Sequence, residues 1–262
     1  MILRPLSLAA LGLAMLAGCA PKEVPVVEVA GDCADAYQAR VCTWARTQGD
    51  SLLEVGADIP VALLENAPEH TDMVWPPALL ADVKLPAAAA AISGLSHLTV
   101  LWESMGHPPG AFLTPHFDFH FYTVSQDDRN AIDCTDLSKP GALAAGYALP
   151  DMGLPPPMVQ LTGSDSLIGL CVPKMGMHSL LASELESEQV MRGSMVLGYY
   201  KTGLIFIEPM ISKAMLMEKQ SFDLPIPSIP GRAEAYPRTF RANFDAEKQS
   251  YRFVFSGFKA GD

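Results

Sequence analysis

Residues 115–122 read PHFDFHFY, and from His116 to Phe121 polar and aromatic residues strictly alternate. Successive side chains of a β-strand point to opposite faces of a sheet, so the pattern predicts a strand with two unlike faces. One face carries three phenylalanines, Phe117, Phe119 and Phe121. The other carries His116, Asp118 and His120. We expect the phenylalanine face to pack in the hydrophobic core.

The polar face has the side chains of a metal site, because imidazole and carboxylate groups are ligands for divalent transition metals. With a rise of about 3.3 Å per residue, His116 and His120 are about 13 Å apart in a flat strand. One ion can therefore bind all three side chains only if the strand bends. Otherwise one residue lies outside the coordination sphere, or there are two sites. The alternative is a polar face held by hydrogen bonds.

Two further ligands are expected from elsewhere in the chain. His178 ends the segment PKMGMH, residues 173–178, whose proline and glycine suit a turn that delivers one side chain. Glu208 follows an apolar run in GLIFIEPM, and a buried carboxylate there needs a partner. The sequence thus predicts one cavity with a divalent ion held by His116, Asp118, His120, His178 and Glu208. This ligand set favours zinc, manganese, iron or nickel over calcium.

Other readings of these residues stay open. His178 can be an ordinary turn histidine, and Glu208 can form a salt bridge with Lys213 or Arg192. His107, in the loop sequence GHPPG, is a weaker ligand candidate, and His70 and His97 are expected to be structural or exposed.

The rest of the chain predicts a mainly β fold. Short β-rich segments are separated by turn residues, and two hairpins are expected, around residues 201–203 and 245–249. Predicted strands cover residues 97–103, 116–125, 166–172, 194–200, 204–208, 240–244 and 250–258. Residues 33–53 are predicted as a helix or helical turn. The proline-rich residues 59–91 are predicted as loop with short pieces, including one or two helical turns at 87–91. We expect one antiparallel barrel or sandwich spanning 33–262, with a short helical or irregular N-terminal part.

The N-terminus has the character of an exported lipoprotein. Residues 1–18 contain one basic residue and a short apolar run, as in a signal peptide, and this run ends in Leu16-Ala17-Gly18-Cys19. This resembles the bacterial lipobox, in which the cysteine is acylated and becomes the first mature residue. The resemblance implies a lipid anchor at Cys19 and, with Ala20 next, the outer membrane facing the periplasm. Residues 19–32 are predicted to be a tether.

Cysteine content and charge narrow the possibilities further. Four cysteines remain after Cys19, and an exported chain favours disulfides. Three pairings are open, with Cys33–Cys42 and Cys134–Cys171 favoured. A net charge of −11 argues against nucleic acid as a partner.

Three blocks carry a family resemblance: GHPPGAFLTPHFDFHFY, PKMGMH and GLIFIEPMIS. They resemble a family of exported bacterial proteins of unassigned function, which has GHEPPG…PHFDFHFY, PxMGxH and FxEPMIT blocks. The matched region is about 97–217, and it implies a β-rich domain without implying a reaction. This chain departs from the family where Pro108 directly follows His107, with no intervening glutamate. Cupins offer a distant analogy for a metal site inside a barrel.

The sequence therefore predicts a lipid-anchored β domain of the cell envelope with a metal site. A metalloenzyme of cupin-like chemistry is the second hypothesis, with Asp118 or Glu208 as base and a small-molecule ligand in the barrel. The third is a structural or assembly protein without metal. Homo-oligomerisation stays open.

Overall fold

A computed structural model describes residues 24–230 and 236–258. The predicted signal peptide and lipidation site Cys19 lie outside these residues. Within the described ranges, no helix combines the length and apolar character needed to cross a membrane.

The described residues are mainly strand. In chain order the strands are β1 Val26–Ala36, β2 Ala39–Gln48, β3 Ser51–Pro60, β4 Ala81–Lys84, β5 His97–Glu103, β6 His116–Tyr122, β7 Tyr147–Ala148, β8 Met152–Gly153, β9 Ser166–Leu167, β10 Met177–Leu181, β11 Gly193–Tyr200, β12 Gly203–Ser212, β13 Phe222–Pro225, β14 Thr239–Asp245 and β15 Ser250–Ser256. The helices are α1 Val61–Glu65, α2 Ala87–Ser93, α3 Gln126–Asn130, α4 Pro156–Thr162, α5 Ala182–Leu185 and α6 Lys213–Met217, with 3-10 turns at Gly110–Phe112 and Ile168–Leu170.

Two antiparallel sheets form a sandwich. The first sheet has the order β1-β2-β3-β15-β14-β13, and the second has β4-β5-β6-β12-β11-β10-β7; β8 and β9 form a separate pair. Phe119 packs edge-on against Phe253, and Phe121 packs in the same way against Phe255, with ring centroids 4.9 and 4.8 Å apart. The prediction that the phenylalanine face enters the core is confirmed. Of the two predicted architectures, the sandwich is the one formed, because the described strands do not close into a barrel.

The prediction of a helix over residues 33–53 is wrong, and so is the tether reading from Val26 onward. This region is the β1–β2–β3 meander. Cys33 lies directly opposite Cys42 in the β1–β2 register, so their disulfide joins neighbouring strands. β2 alternates buried and less buried residues from Ala39 to Thr43, the two-residue period of a strand. The helix prediction did not take this two-residue period into account.

The predicted hairpins are present. Lys201 and Thr202 connect β11 to β12 with positive φ values of 48° and 68°, the backbone that a tight two-residue hairpin turn requires. β14 and β15 form the second hairpin. Two strand predictions need correction: residues 166–172 form only the two-residue β9 and a 3-10 turn, and β12 continues past Glu208 to Ser212. Glu208 is therefore inside a strand rather than at its end.

The face of the second sheet that points away from the first sheet is also covered. We call it the outer face. Chain segments that leave and return to this sheet place apolar side chains over it, and these form a second core. Its members include Phe112, Ile132, Leu170 and Met191 from the covering segments. A disulfide between Cys134 and Cys171 joins two of these covering segments. The outer face of the second sheet is therefore buried beneath these covering segments.

Candidate metal centre

The polar row of β6 lies on the outer face and is buried. His116, Asp118 and His120 expose 0%, 5% and 1% of their surface. Glu208, on the neighbouring strand β12, exposes 0%. Burying imidazole and carboxylate groups is costly unless partners compensate for the lost water. This face is therefore not exposed to solvent, and the function of these side chains depends on the partners that they have inside the protein.

The side chains that could ligate a metal ion divide into two groups. The first group is His107, His116 and Asp118, and the second group is His120, His178 and Glu208. Within each group, one ligand-type atom from each residue lies within 4.8 Å of the others. The five residues predicted to share one site are thus distributed over both groups. His107, the weaker candidate, completes the first.

The loop between β5 and β6 brings His107 into the first group. Gly106 has a positive φ of 67°, and its missing side chain leaves room for the backbone of Phe112 and Thr114. The His107 amide then donates a hydrogen bond to the carbonyl oxygen of Phe112, at 3.1 Å. The imidazole meets that of His116 edge-on, with ring centroids 4.9 Å apart. The loop that looked like an exposed GHPPG turn therefore folds back onto the sheet.

Three strands build the second group. His178 lies on β10, opposite Gly198 of β11, and Glu208 lies on β12, opposite Val196 of β11. The ring of Phe206, two residues before Glu208, packs against both imidazoles, 4.7 Å from His120 and 5.2 Å from His178. This aromatic contact restricts the orientation of both histidine rings.

Backbone carbonyls select the tautomer of three histidines. Nδ1 lies 2.9 Å from the Pro108 oxygen in His107, 2.7 Å from the Thr114 oxygen in His116, and 2.9 Å from the Leu170 oxygen in His178. A carbonyl oxygen only accepts, so Nδ1 must carry the proton in each ring. The Nε2 atom of each neutral imidazole then keeps a free lone pair. This is the arrangement that orients histidine ligands in metal sites.

Several buried polar atoms of the two groups have no hydrogen-bond partner within residues 24–230 and 236–258. They are His116 Nε2, Asp118 Oδ1, His120 Nδ1 and Nε2, and Glu208 Oε1 and Oε2. His116 Nε2 nevertheless lies 3.3 Å from Asp118 Oδ1, and His120 Nε2 lies 3.4 Å from Glu208 Oε2. Two ligand atoms on a tetrahedral zinc ion, each about 2.0–2.1 Å from the metal, are separated by about 3.3–3.4 Å. The spacing fits two ligands of one ion.

Burial keeps the histidines neutral. It lowers the pKa of His116 to about 3, with the neighbouring His107 adding to the shift, and lowers the pKa of His178 to about 4. For His120, burial and the nearby His178 hold the pKa well below its usual value. Neutral imidazoles are the form that binds metals, so these rings are ready to ligate at neutral pH.

The carboxyl groups are shifted in the opposite direction, because burial disfavours their charged form. Burial and the nearby Glu103 raise the pKa of Glu208 to about 8. Burial, Glu208 and Glu103 together raise the pKa of Asp118 well above its usual value. Burial also raises the pKa of Glu103 to about 7. These three carboxyl groups repel one another when they are charged, and a bound cation would offset that repulsion.

Sequence reasoning did not find Glu103. It ends β5 and lies opposite His116 in the antiparallel register, on the same outer face. Glu103 lies six residues after His97 in HLTVLWE, so both side chains point to the same face of β5. The sequence of β5 alone does not show that Glu103 pairs with His116 on the neighbouring strand. His97 itself is buried and stacks on Tyr122, with ring centroids 4.8 Å apart, outside both groups.

A cavity of about 250 Å³ adjoins the two groups. Its polar lining includes Glu103, His107, Asp118 and His178, so both groups reach it. The remainder of the wall is largely apolar. Small molecules can therefore approach the ligand atoms from one side.

Arg129 connects two of the covering segments to each other and to the second sheet. Its side chain is 4% exposed, and it donates hydrogen bonds to Asp82 on β4, at 2.8 Å, and to the carbonyl oxygen of Lys174, at 3.3 Å. Lys174 belongs to the turn that leads to His178. The guanidinium thus ties α3 to the sheet and to that turn.

No family model, curated protein or solved structure matches this chain. The family resemblance drawn from the three sequence blocks, and the cupin analogy, stay predictions.

Proposed function

We propose that this chain is a divalent-metal-binding protein of the bacterial cell envelope and that each of the two groups holds one ion. The observation that carries the proposal is the set of buried lone pairs on His116, Asp118, His120 and Glu208 that lack partners among the described residues. A hydrogen-bonded polar face would pair such atoms. A cation can accept several lone pairs at once, which removes the cost of burying them.

The ligand chemistry of each group favours a transition metal. Each group offers two imidazoles and one carboxylate. Zinc enzymes and non-haem iron enzymes use sets of this kind, whereas calcium prefers six to eight oxygen ligands. Zinc, manganese, iron and nickel remain the candidates. Three protein ligands leave a coordination position for water or another molecule.

The envelope location rests on the sequence. Leu16-Ala17-Gly18-Cys19 follows an apolar run, which supports acylation of Cys19. The two disulfides support an oxidising compartment. Replacing Cys19 by Ser should move the protein from the membrane fraction to the soluble fraction, and an unchanged distribution would contradict the anchor.

Metal analysis tests the central claim. The purified protein is dialysed with one candidate metal at a time, and the bound metal is quantified by inductively coupled plasma mass spectrometry. We expect two ions per chain. His116→Ala should remove the ion of the first group and His178→Ala that of the second, each with a lower melting temperature, because ligands that bind only the folded state stabilise it.

His70→Ala is the matched control, since His70 is exposed and outside both groups. It should keep both ions and the melting temperature. If His116→Ala and His178→Ala also keep wild-type metal content and stability, the polar face is structural and the proposal fails. A wild-type protein that holds only one ion, and loses it in either variant, would indicate a single shared site.

The cavity favours a second candidate function, a metalloenzyme. Residues of both groups, together with Glu103, line a space that admits small molecules. Such a site can activate water or a substrate oxygen on the ion while a neighbouring carboxylate accepts a proton. Release of product by the metal-loaded protein, absent in both His variants, would distinguish an enzyme from a binding protein.

A further inference from the structure

The wall of the cavity has a composition that the metal proposal does not explain. Besides residues of the two groups, it is lined by thioether and aliphatic side chains, including Leu101, Met152, Met158, Leu167, Met175 and Leu180. Met175 and Leu180 are almost fully buried. Flexible methionine side chains adapt to apolar molecules of varied shape. This part of the cavity is suited to an apolar chain.

The exposed part of the cavity lining includes three large apolar side chains, beside the polar Thr71 and Asp72. Met73, Val74 and Met105 belong to its lining and expose 62%, 47% and 63% of their surface. Large apolar side chains that stay exposed in one place often mark a binding site. An apolar molecule would therefore meet favourable contacts at these exposed side chains as well.

The cavity lining also contains polar residues of the two groups. His107 and Asp118 of the first group line the cavity, as do His178 of the second group and Glu103. Without a cation, the carboxyl groups would repel an anionic molecule. With an ion on the first group, the free coordination position attracts an oxygen donor. The cavity thus combines residues of both candidate metal groups with a largely apolar wall.

We propose that the cavity binds a small amphiphile, with its apolar chain along the methionine and leucine wall and its oxygen-bearing head on the ion of the first group. This inference rests on the proposed metal function. The size of the cavity limits the ligand: about 250 Å³ is below the roughly 300–1,000 Å³ of pockets for drug-sized molecules. A single short acyl chain fits this limit better than a phospholipid or a peptide.

Titration calorimetry with octanoate tests the proposal on the metal-loaded protein. Two related probes separate the contributions of the head group and the chain of the ligand. Butyrate keeps the carboxylate and shortens the chain, and octanol keeps the chain and replaces the carboxylate. We expect octanoate to bind at least tenfold more tightly than either. Removing the metal with a chelator should weaken octanoate at least tenfold and leave octanol unchanged.

Variants locate the binding. Met152→Gln/Met158→Gln changes two half-buried wall residues to polar side chains of similar shape, and it should weaken octanoate about tenfold while bound metal stays at the wild-type level. Met217→Gln is the control, because Met217 lies on α6 and is not part of the cavity lining. In the cobalt-loaded protein, octanoate should also change the visible spectrum, which reports a new ligand on the metal.

The possible failures are distinguishable. If the protein holds its ions but octanoate binds no better than butyrate, or binds equally well after chelation, the amphiphile inference is overturned and the metal function stands. If no metal binds, both proposals fail. If the double methionine variant binds octanoate as the wild type does, the cavity is not the binding site and the inference is again overturned.

Discussion

The Nδ1 atom of His178 lies 2.9 Å from the carbonyl oxygen of Leu170. Leu170 directly precedes Cys171, which is joined to Cys134 by a disulfide. The carbonyl that selects the histidine tautomer is therefore held in place by a covalent bond to a different covering segment. The disulfide supports the second group through this contact as well as stabilising the fold.

Removing this disulfide should lower both stability and metal binding. For the 37-residue separation of Cys134 and Cys171, the chain-entropy model gives a loss of about 4 kcal/mol in the double Ser variant. We also expect the second ion to bind more weakly, because the Leu170 carbonyl is less constrained. Denaturant unfolding and metal titration measure the two effects.

The matched control is the double Ser variant of Cys33 and Cys42. That disulfide closes a nine-residue separation in the β1–β2 hairpin, and the same model gives about 3 kcal/mol. It should leave both metal affinities unchanged. Equal effects of the two double variants on metal affinity would argue against a specific role of the Cys134–Cys171 bond.

Arg129→Ala should destabilise the protein by roughly 2–3 kcal/mol, because it removes a buried, charged hydrogen-bond donor from Asp82 and from the Lys174 carbonyl. Arg241→Ala is the control. Arg241 pairs with Asp223 on an exposed surface, where such a pair contributes about 1 kcal/mol or less. Thermal and denaturant unfolding of both variants measure the difference, and equal losses would contradict the role assigned to Arg129.

The fold was predictable where one segment contains its own signal. Alternation in residues 116–121 and the turn residues between β11 and β12 are local patterns, and both elements have the predicted type. The helix expected over residues 33–53 failed because the strands of that region obtain their partners from each other and from β15. Those partners are long-range contacts, which a reading of local pattern does not contain.

The candidate site shows the same limit. His116, Asp118 and His120 could be placed on one face because a single strand sets their spacing. Their division into two groups depends on β10, β12 and the loop of His107, and on a cover that buries the face. Glu103 was missed because only the register of β5 and β6 brings it opposite His116.

His97 should make the stability of the metal-free protein depend on pH. Burial lowers its pKa to about 4; Asp82 opposes the shift, Arg129 adds to it, and the Val124 backbone opposes it. The unfolded chain has a His pKa of about 6.5. Between these values the unfolded state binds more protons, so His97 contributes stability above pH 6.5 that is lost as pH falls toward 4.

His97→Phe tests this effect while retaining an aromatic ring against Tyr122. Unfolding free energies are measured in chelator from pH 8 to pH 4. The variant should lose less stability on acidification, by up to about 1.4 kcal/mol per pH unit within the window. The other buried histidines are present in both proteins, so the difference reports the titration of His97 together with its effect on the pKa of His120. Parallel pH curves for the two proteins would show that His97 does not contribute.

Gly176 lies in the turn that leads to His178 of the second group. Its φ of +112° lies outside the conformations open to alanine, and an added Cβ would lie 2.6 Å from Cδ1 of Ile205 and 3.0 Å from the Tyr199 carbonyl oxygen. The isoleucine can move, but the strand carbonyl cannot move without disturbing β11. His178 follows two residues later, so any adjustment of the turn shifts its imidazole.

We therefore expect Gly176→Ala to cost about 1–3 kcal/mol of stability, the range for a strained backbone position, and to reduce occupancy of the second group while the first keeps its ion. Gly163→Ala separates strain from position: Gly163 also has a positive φ, 73°, but no atom lies within 4 Å of an added Cβ. This control should lose about 1 kcal/mol and keep both ions. Metal content and melting temperature are measured together. If Gly176→Ala binds two ions with wild-type affinity, the geometry of this turn does not set the position of His178, and the second group is more tolerant than its packing indicates.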